Sequence, residues 1–109
     1  AAVYIGLALP FGAFSMDSSG NWYDINRSLT RLIGRTEEEL SGRNWLSRIS
    51  EGDRHRVTAE LNAALTDRRD IDIDFTMSKA DGAALLVGMR TKLEAAGHYS
   101  GNLWLNPTR

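Results

Sequence analysis

The sequence predicts an α+β fold, in which one five-stranded antiparallel sheet carries short helices on one face. Three observations lead to this prediction. Two strand-like segments begin the chain, several helix starts and stops follow between residues 26 and 67, and three strand-like segments end it. Helices that are segregated from strands in this way are typical of an antiparallel domain with hairpin connections.

The first two predicted strands form a hairpin. Residues 11–17, FGAFSMD, alternate roughly between apolar and polar side chains, and SSGN (18–21) supplies turn residues. The segment NWYDI (21–25) then predicts the second strand.

Short helices are predicted next, because start and stop signals follow each other closely. Asn26 is suited to cap one helix and Gly34 to end it, while Thr36 and Glu39 form a capping box for the next, which Gly42 ends. Residues 44–49 add one more turn or two. Helices of this length are marginal in water, so tertiary packing must hold them.

One longer helix is predicted over residues 50–67. Ser50 and Asp53 have the spacing of another capping box. The apolar side chains share one helical face: Val57, Leu61, Ala64 and Leu65.

The second half predicts three antiparallel strands. Residues 70–79 alternate strictly, and ADG (80–82) predicts a hairpin loop, so that paired residue numbers sum to about 162. This register places Asp72 opposite Arg90, and also Asp70 opposite Lys92. A turn over 95–101 and a last strand over 102–106 complete the chain.

The predicted core lies between the sheet and the long helix. From the sheet we expect it to contain Phe75, Val87, Met89, Leu103 and Leu105, and from the helix Val57, Leu61 and Leu65.

The composition is that of an ordinary globular domain and excludes several classes of function. The 109 residues carry a net charge near −1, which gives no basic field for nucleic acid. The absence of cysteine excludes disulfides, thiolate nucleophiles and cysteine–metal sites. Residues 1–16 are uncharged, but they are too few to span a membrane and Pro10 interrupts them. We expect an N-terminal flank (1–10) and one domain (11–109). We also expect this domain to be cytoplasmic and to belong to a longer protein, and membrane attachment of another part of that protein stays open.

Few residues suggest chemistry. His55 lies roughly opposite the apolar stripe of its helix and His98 lies in the predicted turn, so we expect both to be solvated rather than haem or metal ligands. The three aspartates of residues 70–74 alternate along a strand, which spreads them too widely for one calcium ion. The sequence shows no triad or phosphate-binding loop, and we predict no catalytic residue and no metal site.

Several stretches occur in an order and spacing that are specific together. They are MDSSGNWYDIN (16–26), LIGRTEEELSGRNW (32–45), EGDRHRV (51–57), ADG (80–82) and the glycine at 101. In these features the sequence resembles a PAS domain, a sensory and signalling module, over nearly the whole chain. The resemblance implies a curved antiparallel sheet whose concave face is closed by short helices, often around a small ligand.

The resemblance also suggests which residues line a pocket. They are Trp45, Ile49, Leu61, Phe75, Val87 and Met89. For Trp45, core packing is favoured over ligand stacking. Flavin-binding light-sensing members carry a cysteine in the stretch that corresponds to residues 42–48, whereas this sequence has none. We therefore expect no cysteinyl-flavin photochemistry and no haem, and the identity of any ligand stays open.

The function implied is that of a sensory or regulatory module in a larger signalling protein, with a histidine kinase or cyclic-dinucleotide enzyme as effector. The alternative is a ligand-free homodimerisation module, and a small α+β enzyme such as an isomerase is the least favoured reading.

A contact surface is predicted on the outer face of the sheet. Trp104 lies between two inward-facing leucines and must point outward, beside Leu86 on the next strand. We expect the flank, through Val3 and Ile5, to cover this surface, either in the same chain or across a homodimer.

Overall fold

The computed structural model describes residues 11–95 and 97–106, and its elements follow the predicted order. The predicted flank, with Val3 and Ile5, lies outside the described residues. The elements are β1 (Phe11–Asp17), β2 (Trp22–Tyr23), α1 (Arg27–Ile33), α2 (Glu37–Leu40), α3 (Asn44–Ser47), α4 (Glu51–Asp67), β3 (Ile71–Ser78), β4 (Ala84–Ala95) and β5 (His98–Leu105).

The strands form one five-stranded sheet in the order β2-β1-β5-β4-β3, and every neighbouring pair is antiparallel. The predicted fold class is therefore confirmed. The first and last long strands are neighbours at the centre of the sheet, where Phe11 is opposite Trp104. The points where the described chain enters and leaves the sheet consequently lie side by side.

The hairpin of β3 and β4 has the predicted register. Ile73 is opposite Met89 and Asp72 is opposite Arg90, whose guanidinium Nη2 lies 3.2 Å from the aspartate Oδ2. The pairing depends on strict alternation, because a slip of one residue would exchange the two faces of the strand. Ile73 accordingly packs against the core while Asp72 is exposed.

Strand ends differ from the prediction in three places. β2 has only two residues because Asp24 adopts a left-handed backbone, with φ of +50°. The predicted turn over 95–101 is wrong in length, since β4 continues to Ala95 and β5 begins at His98. Ladder pairing of β3 begins at Ile71, so the predicted pair of Asp70 and Lys92 lies just outside the ladder.

Asp70 instead accepts a hydrogen bond from the backbone N–H of Leu93 at 2.8 Å. The turn is short because Gly97 adopts the left-handed conformation, with φ of +74°, that a tight reversal needs.

Helix caps agree with the sequence where they are purely local. Asn26 accepts the Leu29 N–H, Gly34 ends α1 in the left-handed conformation, and Thr36 with Glu39 forms a complete capping box. The predicted box at Ser50 is wrong, because the Ser50 side chain makes no capping bond.

Asp53, the other member of that predicted box, binds the sheet instead. Its carboxylate accepts the Thr76 N–H of β3 at 2.8 Å, while the Ser50 N–H donates to the Thr76 carbonyl. An exposed strand edge competes for polar groups, and here it outweighs the local cap.

The core lies where it was predicted, with two differences. Val57, Leu61, Phe75 and Leu103 are buried, whereas Leu65 is only partly buried. Leu105 is 38% exposed and does not belong to the core. Alternation assigns Leu105 to the inner face, but it does not determine whether another element covers that face.

Candidate functional site

The six residues predicted to line a pocket come together in the centre of the molecule. Each is at most 1% exposed, and all belong to one continuous cluster between the helices and the sheet: Trp45, Ile49, Leu61, Phe75, Val87 and Met89. α3 supplies the first, α4 supplies Leu61, and β3 and β4 supply the last three. The interior between helices and sheet is therefore the candidate ligand site.

Three aromatic rings form a stack in this interior. The Trp22 indole lies between Phe14, at 4.0 Å and 20° between planes, and Trp45, at 4.5 Å and 10°. Phe14 lies directly on Gly101, where an added Cβ would be 2.3 Å from the ring. The sequence analysis missed Phe14 and Trp22 as site residues, although the alternation of the first hairpin places both on the inner face.

The two indole N–H groups of the stack differ. Trp45 Nε1 donates to the Gly20 carbonyl at 3.0 Å, whereas Trp22 Nε1 is buried without a partner among the described residues. An unsatisfied buried donor costs about 1–3 kcal/mol. Both faces of the Trp22 indole are occupied by its two neighbours, so Trp22 Nε1 is the group of the stack that is left for an acceptor atom of a ligand.

α1 is fastened to β1 by close contact and by hydrogen bonds. Gly12 lies so near Leu29 that an added Cβ would be 2.3 Å from the Leu29 Cβ. The Asn26 side chain accepts the Ala13 N–H, and the Asn26 N–H donates to the Ala13 carbonyl, both at 3.0 Å. Asn26 therefore caps the helix and binds the strand at once.

The edge strand β3 is held by side chains as well. Arg35 Nε donates to the Ser78 carbonyl at 2.9 Å, and Arg56 Nη2 donates to the Asp74 carbonyl at 2.8 Å. The Thr76 N–H, together with Arg56, lowers the pKa of Asp53 against the opposing effect of its partial burial. The helical layer is thus tied both to β1 and to the edge strand β3.

An apolar patch occupies one end of the outer face. The Trp104 indole lies flat over Gly88, where an added Cβ would be 2.7 Å from the ring, and the Arg90 guanidinium is 5.8 Å from the ring centroid. Phe11 is opposite Trp104 and 47% exposed, and Leu86 is half-buried on the same face. We call Phe11, Leu86 and Trp104 the outer patch.

Polar groups occupy the other end of that face. The Tyr23 hydroxyl and His98 Nδ1 are joined by a hydrogen bond of 2.7 Å. His98 is the first residue of β5 and does not lie in the predicted turn.

His55, the other histidine, is exposed on α4. Burial raises the pKa of Asp17, but hydrogen bonds from Asn21 and from the following backbone outweigh it, so that the pKa is lowered overall.

Within residues 11–95 and 97–106, no group of three or more acidic or histidine side chains is placed to hold a metal ion. None of the helices in these ranges is long and apolar enough to cross a membrane.

Comparison with known proteins supports the architecture. A family model described as PAS fold matches residues 23–93. A search of curated proteins found no match. Several solved structures share the fold at low sequence identity.

Three of these structures have TM-scores between 0.67 and 0.79. A PAS domain from Colwellia psychrerythraea has a TM-score of 0.71 at 18% identity, with 91% of this chain and 88% of that chain covered. The N-terminal domain of a diguanylate cyclase with PAS/PAC sensor from Marinobacter aquaeolei has 0.79 at 12%, covering 87% and 94%. The LOV domain of a blue-light activated histidine kinase from Erythrobacter litoralis has 0.67 at 19%, covering 87% and 94%. Other relatives are longer, and this chain spans 60% of a LOV protein from Rhodobacter sphaeroides.

Proposed function

The chain belongs to the PAS fold family, and we propose that it is the sensory or regulatory module of a larger signal-transduction protein. In this proposal it binds a small ligand or a partner, and its terminal strands pass the change to an effector domain. The effector we propose is a histidine kinase or a cyclic-dinucleotide enzyme. Similarity to the sensor domains of a diguanylate cyclase and of a histidine kinase supports this class of effector.

The observation that carries the proposal is the attachment of α1 to β1, the strand that pairs with β5. Gly12 and Leu29 leave no space between α1 and β1, so a ligand that displaces the helix must also move the strand. β1 pairs with β5 along its whole length, from Phe11 to Asp17. A change in the helical wall therefore acts directly on the strands that lead to neighbouring domains.

The ligand site we propose is the interior around the stack of Phe14, Trp22 and Trp45. We expect the purified domain to be colourless, because it has no cysteine and because both histidines lie outside the core cluster. An absorption spectrum tests this expectation. A stoichiometric flavin or Soret band would contradict it.

The outer patch is proposed as the surface of a homodimer. Exposed apolar patches that are rimmed by charge commonly mark contact surfaces. The pairing of Phe11, the first described residue, with Trp104 supports the proposal that the flank, through Val3 and Ile5, covers the patch in a second copy.

Sedimentation analysis tests this dimer. We expect Trp104→Glu, and a chain without residues 1–9, to sediment as monomers while remaining folded. Lys92→Glu on the same outer face is the matched control and should leave the dimer intact. Unchanged association of both altered proteins would contradict the proposed surface.

A second candidate function is a ligand-free homodimerisation module that holds effector domains together. The self-filled interior favours it, since Trp22 already occupies the space between Phe14 and Trp45. Native mass spectrometry of the purified domain separates the two candidates. A retained small molecule supports the sensor, an empty dimer supports the scaffold, and an empty monomer contradicts both.

A further inference from the structure

We propose a second binding site, separate from the aromatic interior, that takes a small organic carboxylate. The site is a cleft of about 170 Å³ between the C-terminal end of α4 and the hairpin of β4 and β5. Its lining residues are Ser18, Leu65, Arg68, Leu93, Gly97 and Tyr99. None of them belongs to the pocket predicted from the sequence.

The first observation is an unused hydroxyl at the cleft. Tyr99 is only 2% exposed, and its hydroxyl has no hydrogen-bond partner among the described residues. The hydroxyl itself is not fully buried, because Trp22 Nε1 is the one fully buried side-chain polar atom without a partner in the described part of the chain. The hydroxyl therefore has access to solvent, and a ligand in the cleft can replace water as its hydrogen-bond partner. The hydroxyl is the only polar atom of the side chain, and the cleft that Tyr99 lines is where a partner can reach it.

The second observation is an arginine without a carboxylate. Arg68 has no ion-pair partner among residues 11–95 and 97–106, although its neighbour Arg69 pairs with Glu60 at 2.9 Å and with Asp67 at 3.6 Å. Arg68 also has a φ of +54°, a conformation that glycine adopts more easily. The backbone therefore does not favour an arginine here, while a guanidinium at the cleft suits an anion.

The remaining walls restrict the size and chemistry of the ligand. Leu65 and Leu93 are half-buried and give the cleft two apolar sides, and Ser18 adds a hydroxyl. No carboxylate is among the lining residues. Sites for drug-sized ligands measure roughly 300–1,000 Å³, so this smaller cleft fits an acid of a few carbon atoms or one ring.

A change in strand register beside the cleft gives the site its shape. The pairing of β4 with β5 shifts between Leu93 and Ala95, and Leu93 is the residue opposite Tyr99. Such irregularities bend a strand and redirect side chains, and they are frequent next to binding sites.

The test is an NMR titration of the whole 109-residue chain with butyrate and benzoate, using butyramide and benzamide as uncharged controls. We expect saturable shifts of the Leu93, Gly97 and Tyr99 amide signals with the carboxylates at millimolar concentration or below. The uncharged amides should bind at least about tenfold more weakly, because they lack the charge-assisted hydrogen bonds.

Three variants separate a binding role from a structural one. Arg68→Gly keeps the left-handed backbone accessible and removes the guanidinium, so it should weaken binding at least about tenfold without lowering the melting temperature. Tyr99→Phe should weaken it about two- to tenfold. Arg69→Ala is the matched control and should leave the affinity unchanged.

Equal binding of amides and carboxylates would overturn the proposal, and so would unchanged affinity of Arg68→Gly or an absence of saturable shifts. These measurements report binding to the cleft alone, so their failure leaves the proposed sensory function as it stands.

Discussion

The two faces of the sheet are made by the same strands but have different surroundings. On the inner face the helices cover nearly every side chain, and Leu103 is completely buried. On the outer face Asp72 and Arg90 pair in solvent, and Phe11, Leu86 and Trp104 form the apolar patch at one end. The difference teaches that a side chain's contribution to stability depends on whether a second layer of structure covers it. Alternation along the strand assigns only the face on which the side chain lies.

Cover by helices also determines where small residues are required. Inside, Gly12 and Gly101 allow Leu29 and Phe14 to lie directly on the sheet. Outside, Gly88 does the same for the Trp104 ring, which shields the strand where no described helix does. Close approach of this kind is set by the layer above the strand and leaves no clear pattern in the strand itself.

The largest expected effect comes from comparing two leucines. Truncation of the buried Leu61 to alanine should lower the free energy of unfolding by about 2–5 kcal/mol, because it removes contacts and leaves a cavity. Leu105→Ala, at an inner-face position that is 38% exposed, should cost less than about 1 kcal/mol. Urea denaturation measures both. Similar losses of stability in the two variants would contradict the assignment that Leu61 is covered and Leu105 is not.

Two glycines sharpen the same comparison. Gly101→Ala should destabilise the domain by about 1–3 kcal/mol, since the new methyl group would be 2.3 Å from the Phe14 ring. Gly52→Ala in α4 meets no atom within 4 Å and should stabilise by up to about 1 kcal/mol through helix propensity. Thermal unfolding followed by circular dichroism gives both values, and a gain in stability for Gly101→Ala would disprove the close packing.

Asp53 links the helical layer to the strand edge in a way that depends on pH. Because its folded-state pKa lies below the ordinary value of 3.8, its contribution is complete above that value and is lost as pH falls through the folded-state pKa. Asp53→Asn should cost about 1 kcal/mol near neutral pH and should flatten the acid limb of the stability curve. Denaturant titrations from pH 7 to pH 3, with Asp67→Asn as control, test this expectation. An acid limb equal to that of the parent would contradict it.

The smallest expected effect belongs to the outer pair of Asp72 and Arg90. Both side chains are about two-thirds exposed, so a double-mutant cycle with alanine should give a coupling energy of about 0.2–1 kcal/mol. The coupling should decrease with added salt. A coupling above about 2 kcal/mol would show that this face is covered in solution.

Much of the fold followed from local patterns. The register of β3 and β4 was predictable because strict alternation and a three-residue loop ending in Gly82 leave one pairing that buries the apolar face. The caps at Asn26 and Thr36 were predictable because each uses atoms within three residues. The loss of the predicted box at Ser50 could not be predicted, since the Asp53 carboxylate instead accepts from Thr76, 23 residues away along the chain.

For the candidate sites too, some features followed from local sequence patterns and others depended on tertiary contacts. The sequence by itself determined which residues face the interior, because periodicity fixes the direction of each side chain. Only the tertiary structure decided that Phe14, Trp22 and Trp45 stack, and that Leu105 stays exposed. It also decided the cleft at Arg68 and Tyr99, since the sequence pattern indicated a turn where β5 begins. Such contacts join segments far apart in the chain, and their free energy arises from packing that no local pattern encodes.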